Sequence, residues 1–509
     1  MKHEQTGIMN EDILIIGGGV GGLFTGALLA HEGYKVTVVE KNQTIGGGLQ
    51  TFTRRGEVFE TGMHILGGLR KGGSIYKICQ YLGIMDKLSL RDTDDDCFDC
   101  ITYLDDAKTY RMPTGKVAFT DYLIGEFPHE RAGITAYMNA LYRLTDEVDF
   151  FYLRRGRDYL FSHSEQFLWA ADQWIAHYIT DKHLRDLLAY MNPMYGGVAG
   201  HTPAYIHALI NVLYIEGASR FNDGSQQLAD ALATAITASG GSVHSGVAIV
   251  ALKDKDRTIQ QALAADGSCF TANRYISAIH PCALLKMMSE DAFTKAYRNR
   301  LNALPNSYSA FTVYIIFKPD SFPYINHTCY YQQRYGLVWN HAEYDADTWP
   351  QGFMYMTSPH RKQGAYARTM IINCIMSFEQ VRRWKDTTVA HRGDDYAAWK
   401  EAHIQKILAR MEILYPGFGN CIDERFASSP LTIRDYYNNK EGALYGFGRD
   451  CCNIVQSQLS VVTKVSNLLL TGQNINLHGI CGVPLTAVNT VEAILGENTL
   501  IDKINAQQI

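Results

Sequence analysis

The run Asp12-Ile-Leu-Ile-Ile-Gly-Gly-Gly-Val-Gly-Gly22 constrains this chain more than any other stretch. It reads as a short buried strand and a tight glycine turn, followed by an apolar helix and a second strand, Val36-Thr-Val-Val-Glu40. Gly17, Gly19 and Gly22 stand at the G-x-G-x-x-G spacing. Gly17 permits the tight turn, Gly19 lets backbone approach a pyrophosphate, and Gly22 lets the helix pack closely on the strand. The helix then aims its free N–H groups and partial positive charge at the phosphates. Glu40, at the end of the second strand, offers a carboxylate to a ribose diol. These features predict a dinucleotide with an unphosphorylated adenosine ribose, either FAD or NAD.

Composition narrows the class. With 509 residues, 46% apolar and 19% charged, the chain is an ordinary globular protein long enough for two or three domains. A net charge of −5 provides no basic field, so nucleic acid is not an expected partner. The long uncharged run Ile13 to Ala30 is studded with glycines placed by the turn, which argues against a membrane span there. Met1-Lys-His-Glu lacks the pattern of a secretory signal, and the 11 cysteines are scattered, so reduced thiols in a cytoplasm are expected. Cys97-Phe-Asp-Cys100 has no second pair at zinc spacing, and Cys451-Cys452 is no stronger, so no metal site is expected.

Further along, the sequence chooses between the cofactors. A glycine cluster, Gly46-Gly47-Gly48, precedes a short hairpin turning at Arg54-Arg-Gly56. An NAD dehydrogenase usually continues into another helix and strand; this layout suits the extended form of FAD. Residues 114–216 read as mostly helical, with Ile134, Met138, Leu141, Val148 and Phe151 on one helical face. Asp223-Gly-Ser225 predicts a helix over 226–238, with a small polar residue to cap it. Strands near 242–250 and 270–278 re-enter the first sheet, whereas 308–317 and 367–377 predict a second sheet with helix 396–412 behind it. Finally, Asn467-Leu-Leu-Leu-Thr-Gly472-Gln473 predicts a buried strand ending in glycine, with a helix over 485–495 whose dipole can stabilise a reduced flavin.

Taken together, these segments resemble the phytoene desaturase, carotenoid isomerase and retinol saturase superfamily of FAD-dependent oxidoreductases over nearly the whole chain. Phe59-Glu-Thr-Gly-Met-His64 resembles its F-D-x-G-x-H stretch, with Glu60 for the usual aspartate. Phe127-Pro-His-Glu130, Asp223-Gly-Ser225, Ile276-Ser-Ala-Ile-His280-Pro281, Pro430-Leu-Thr-Ile-Arg434-Asp-Tyr436, Gly442-Ala-Leu-Tyr-Gly446 and Leu470-Thr-Gly-Gln473 recur in similar order. Where the family often carries Arg or Lys after the second glycine pair, this chain has Gly48.

The resemblance implies an α/β protein. A Rossmann-like FAD-binding domain in three segments (1–88, 218–290, 436–509) joins an α+β substrate domain (89–217, 291–435) with a β-sheet and a helical, membrane-facing part. It implies cofactor contacts at Gly17, Gly19, Val20, Gly21, Gly22, Glu40, Lys41, Gly47, Gly48, Val247, Gly472, Gln473, Gly482 and Val483, and places His64 beside the flavin. The implied reaction moves hydride to or from a conjugated apolar polyene of the retinoid or carotenoid kind, in the saturase or desaturase sense. The alternatives are cis–trans isomerisation, an amine-oxidase-like activity, or prenyl carriage as in Rab GDP-dissociation inhibitors. No second glycine-turn unit supports an NAD(P)H site, so an external electron donor or acceptor is expected. Peripheral contact with the inner face of a membrane would let the enzyme collect its substrate.

Overall fold

The computed structural model describes residues 12–62, 64–156, 160–340 and 342–507; Met1–Glu11 and Met63 of the Phe59–His64 motif lie outside them. A parallel five-stranded sheet forms the first layer, with strands in the order Ser242–His244, Lys35–Val39, Asp12–Ile16, Arg274–Ser277 and Leu468–Leu470. Such a sheet is buried on both faces, which is why its strands read as continuous apolar runs. Ile13 and Ile15 pack with Leu23, Phe24 and Leu28, from the helix Val20–His31. Leu14 and Ile16 pack on the opposite side with Ile249, Leu252 and Leu285.

A second, seven-stranded sheet runs in the order Ile422–Ser428, Ser309–Phe317, Thr369–Met376, Gly352–Thr357, Thr328–Gln332, Asp99–Tyr103 and Lys108–Met112. Its pairings are antiparallel except between Thr328–Gln332 and Asp99–Tyr103. Alternate residues divide its faces. Phe311, Val313, Ile315, Met370, Ile372 and Cys374 pack beneath Ile404, Ile407 and Met411, from the helix Asp394–Leu414. Ala310, Thr312, Asn373 and Ile375 face the opposite way, into a cavity.

The helical part expected over 114–216 consists of Lys116–Glu126, Arg131–Asp146, Ala171–Tyr178, Lys182–Leu188 and Ala204–Ile215. Val148 and Phe151 leave the predicted helix, which ends at Asp146, and stand at a 3-10 turn. A small sheet joins Leu66–Gly67, Ala218–Phe221 and Leu90–Asp92, tying together segments from both sides of the domain boundaries expected at 88 and 217. Among the described residues, no single helix is long and apolar enough to cross a membrane. The cysteines are free thiols; Cys97 is buried, and Cys100 lies opposite Cys329 in the parallel pairing.

One buried carboxylate gives the fold a pH signature. Asp186 accepts hydrogen bonds from Tyr103 Oη at 2.9 Å and from the Gly336 and Val338 amides at 3.0 and 3.5 Å, fastening the 336–338 loop. Burial nevertheless pushes its carboxyl up to about 6. A raised acid pKa means that stability is full below the ordinary carboxylate value, about 4, and falls as pH rises towards 6. A rise of about two units corresponds to roughly 3 kcal/mol. Asp186→Asn keeps an acceptor for the loop amides without the charge. Thermal unfolding at pH 4 and pH 7 is expected to show the variant gaining on the wild type as pH rises; a constant difference between them contradicts this account.

Candidate functional site

The glycine turn is tight for steric reasons that can be read position by position. Gly17 adopts φ +107°, a conformation that side chains disfavour. A Cβ on Gly22 would lie 1.9 Å from the Gly17 carbonyl oxygen, and one on Gly21 would lie 3.0 Å from Gly472 Cα. Glycine at 21 therefore lets the first helix touch the far end of the chain, where Thr25 and Thr471 hydroxyls also meet at 2.9 Å. Gly19 is different: its backbone is extended and a Cβ there would meet only Gly47 Cα, at 3.9 Å. It faces open space. No side chain caps the helix that begins after Gly19, so its first-turn N–H groups remain available to an anion.

Glu40 closes the other side of the turn. Its carboxylate is buried and accepts hydrogen bonds from the Gly18 and Asn42 amides, each at 2.8 Å. A carboxylate has about four lone-pair sites, so acceptor capacity remains for a ribose diol. Val247 is held alongside by its amide, which donates to the Glu40 carbonyl at 2.8 Å. Lys41 donates to the Asp435 carbonyl, and partial burial holds its ammonium below the ordinary lysine value. The Gly46 amide donates to Gly18 O at 2.7 Å, drawing the second glycine cluster against the first. The hairpin Thr51–Arg54 with Glu57–Glu60 then turns at Arg55 and Gly56, both with positive φ.

These pieces border one cavity of about 400 Å³, running from Gly17 and Glu40 to the seven-stranded sheet. Gly17, Gly19, Val20, Gly21, Glu40, Lys41, Gly47, Gly48, His64, Val247, Gly472, Gln473 and Val483 all line it. Two expected contacts are placed elsewhere. Gly22 faces the Gly17 carbonyl, and Gly482 faces Leu477, where a Cβ would lie 2.6 Å from Leu477 Cβ. Both let backbone segments approach each other and do not border the cavity.

One helix cap and one helix start also differ from expectation. Ser225 does not cap the helix Gln226–Ala238; its hydroxyl donates to the Leu49 carbonyl at 3.0 Å, tying that helix to the Gly47–Leu49 turn. The helix expected over 485–495 spans Gly479–Leu495 and contains Pro484, so it starts six residues earlier than a proline-stop reading allows. The tertiary frame overrides the proline: Cys481, Val483 and Leu485 are buried in the core.

At the far end, Ile210, Leu213, Tyr214, Tyr330, Phe353, Met354 and Tyr445 form a mostly apolar wall. The sequence did not reveal this wall. Tyr330 belongs to a strand buried at every position, where alternation is invisible in the pattern of apolar residues. His478, also in the wall, hydrogen-bonds the Tyr195 carbonyl through Nε2 at 3.0 Å, and burial lowers its pKa to about 3, so it stays neutral. His64 sits with Nδ1 3.5 Å from Glu60 Oε2, both side chains largely buried. Apart from Glu40, no aspartate or glutamate lines the cavity among the described residues.

The glycine cradle, the open side of Gly19 and the spare acceptors of Glu40 fit an extended adenine dinucleotide. The model of the family "flavin containing amine oxidoreductase" matches residues 20–495. The chain belongs to that family. It is an FAD-dependent oxidoreductase. This flavin oxidoreductase is 25% identical to the all-trans-retinol 13,14-reductase of Macaca fascicularis, over 96% of this chain and 86% of that protein. It is 31% identical to prolycopene isomerase 1 of an Oncidium hybrid cultivar, over 27% of this chain and 23% of that one. The structure of putrescine oxidase with putrescine bound superposes with a TM-score of 0.64 at 15% identity, covering 96% of this chain and 100% of that one, which shows a shared fold.

Glu40 provides a direct check on the cofactor end of this flavin oxidoreductase. Glu40→Ala leaves the Gly18 and Asn42 amides without their acceptor, each costing roughly 1–3 kcal/mol where buried. Glu40→Gln keeps one acceptor oxygen. The alanine variant is therefore expected to lose more bound flavin and more thermal stability than the glutamine variant, measured by flavin content and melting temperature. Equal flavin content in both variants and the wild type would argue that this carboxylate plays no part in the site.

Proposed function

We propose that this enzyme reduces a carbon–carbon double bond in a neutral, conjugated, apolar substrate, a polyene of the retinoid or carotenoid class. The observation that carries the reading is the cavity's inner wall, built from Ile210, Leu213, Tyr214, Tyr330, Phe353 and Met354, with no carboxylate among its lining residues. A cationic amine would find no lining carboxylate to pair with there, and burying an unpaired cation is costly. Similarity to a retinol reductase over most of both chains supports the same class.

In this proposal Gly17, Gly19, Gly47 and Gly472 hold the dinucleotide backbone, Glu40 takes the adenosine ribose, and the first-turn amides after Gly19 take the pyrophosphate. FAD, when bound, supplies hydride exchange at its N5. The protein excludes water from the inner cavity and positions one proton. His64 Nδ1 faces Glu60, which leaves Nε2 to give a proton to the second carbon of the reduced bond; the same nitrogen accepts it in the opposite direction. Glu60 orients the imidazole. The buried Arg220 guanidinium, held by the Thr357 and Ile325 carbonyls, is near enough for Glu60 to oppose the fall in its pKa that burial causes. An external two-electron donor recharges the flavin.

Exposed Val117 (73%) and Phe161 (76%), in the helical part, support peripheral lipid contact as the route of substrate entry. Substrate class is tested by parallel turnover assays on retinoids, carotenoids and diamines. Loss of a double bond in a polyene supports the proposal. Hydrogen peroxide released on amines alone contradicts it, and cis–trans conversion without net reduction favours the isomerase reading that the Oncidium relative suggests.

A further inference from the structure

We infer that Asp450, Cys451 and Cys452, joined by His201, form a binding site for a divalent zinc-like ion at the edge of the fold, separate from the flavin cavity. One ligand atom from each of Asp450, Cys451 and Cys452 falls within 4.8 Å of the others. The two sulfurs are 3.9 Å apart. Tetrahedral zinc with Zn–S bonds of ~2.3 Å sets its sulfurs ~3.8 Å apart, whereas a disulfide bond is ~2.05 Å. The thiols therefore stand at chelating separation without a bond between them.

The carboxylate is already oriented, because Asp450 Oδ1 accepts the Cys452 amide at 3.0 Å. Its other oxygen lies 3.6 Å from His201 Nδ1, close to the spacing of two ligands on one small ion. His201 comes from a distant turn, brought alongside by the Cys451 amide, which donates to the His201 carbonyl at 2.6 Å. His201 is exposed and lies outside the trio of mutually close ligand atoms, so it joins an ion held by the other three groups by a side-chain rotation. Two thiolates, a carboxylate and an imidazole form a donor set suited to zinc and poorly suited to magnesium or calcium.

Entry of the ion displaces the two thiol protons. The consequence is a clamp between two segments that lead to the substrate wall. The His201 turn opens the helix Ala204–Ile215, which supplies Ile210, Leu213 and Tyr214; the Asp450 loop follows Tyr445. The sequence alone hid this site, because adjacent cysteines lack zinc-finger spacing and His201 joins them only through the fold.

The test uses the FAD-loaded full chain, reduced with a phosphine and stripped of metal. It is titrated with Zn²⁺ against a chromophoric chelator, and with Co²⁺ while following thiolate-to-metal charge transfer. One equivalent is expected to bind with a charge-transfer band. Cys451→Ser with Cys452→Ser is expected to weaken binding by more than about 100-fold, beyond what loss of a group that merely orients a ligand causes. Asp450→Asn and His201→Ala are expected to weaken it by at least about 10-fold, and they carry the test if the double variant loses its flavin. Absence of stoichiometric uptake by the reduced protein, or uptake unaffected by these substitutions, overturns the inference.

Discussion

Gly22→Ala is expected to yield a chain that retains no flavin and melts far below the wild type. The added Cβ would lie 1.9 Å from the Gly17 carbonyl oxygen and 3.3 Å from Ala278 Cβ. The first of these atoms is backbone, fixed in turn by the Gly17 amide, which donates to the Val39 carbonyl at 2.8 Å, so no rotamer change relieves the clash. Strand, turn and helix must separate. Overpacking of this kind costs about 3 kcal/mol or more, a large share of a typical stability of about 5–15 kcal/mol. Gly19→Ala isolates the binding component. Its extended backbone accepts alanine and its surroundings are open, so the flavin-free variant is expected to melt with flavin-free wild type. Its methyl nevertheless enters the space proposed for the pyrophosphate, so flavin affinity is expected to fall by at least about tenfold, as a loss of about 1.4 kcal/mol would produce. Flavin content and melting temperature on paired apo and loaded samples separate the two effects. Full flavin retention by Gly22→Ala would refute the cradle.

His64→Ala is expected to remove about 10²–10⁴-fold of the turnover rate, the usual range for a positioned proton donor, while flavin content stays at the wild-type level. Glu60→Gln is expected to act more mildly, because the imidazole remains but loses the negative charge facing Nδ1, 3.5 Å away. Glu60→Asp keeps a carboxylate on a shorter arm and is expected to restore part of the rate. A structural role for the pair predicts something else: lost flavin or lowered melting temperature in step with the lost rate, and no rescue by Glu60→Asp. A full rate in His64→Ala would assign the proton to another source.

How much of this was legible in the sequence follows from what each residue does. The glycine turn was legible because its constraints are steric, and only glycine satisfies a positive φ at Gly17 and the crowding at Gly22. The strand–helix order was legible from apolar runs and periodicity, including the helix Gln226–Ala238 to its exact ends. The packing role of Gly482 was not legible, because sequence position gives no direction: its missing side chain admits Leu477. The sheet face that borders the cavity stayed hidden because the strands Ser309–Phe317 and Thr369–Met376 are buried on both faces. Thr312 and Asn373, which bond to each other at 2.7 Å beside the cavity, are the polar interruptions that separate one face from the other. The Glu60–His64 pairing needed the hairpin to be folded before its distance had meaning.

The most direct measurement of the central claim is a single anaerobic turnover. Enzyme loaded with FAD is reduced, freed of excess reductant, and mixed with a retinoid, a carotenoid or a diamine while the flavin spectrum is followed. Reoxidation by a polyene, with a product heavier by two hydrogens, is the predicted result, and it should slow sharply in His64→Ala. Flavin that stays reduced with every polyene, while oxidised flavin is bleached by the diamine, would contradict the account.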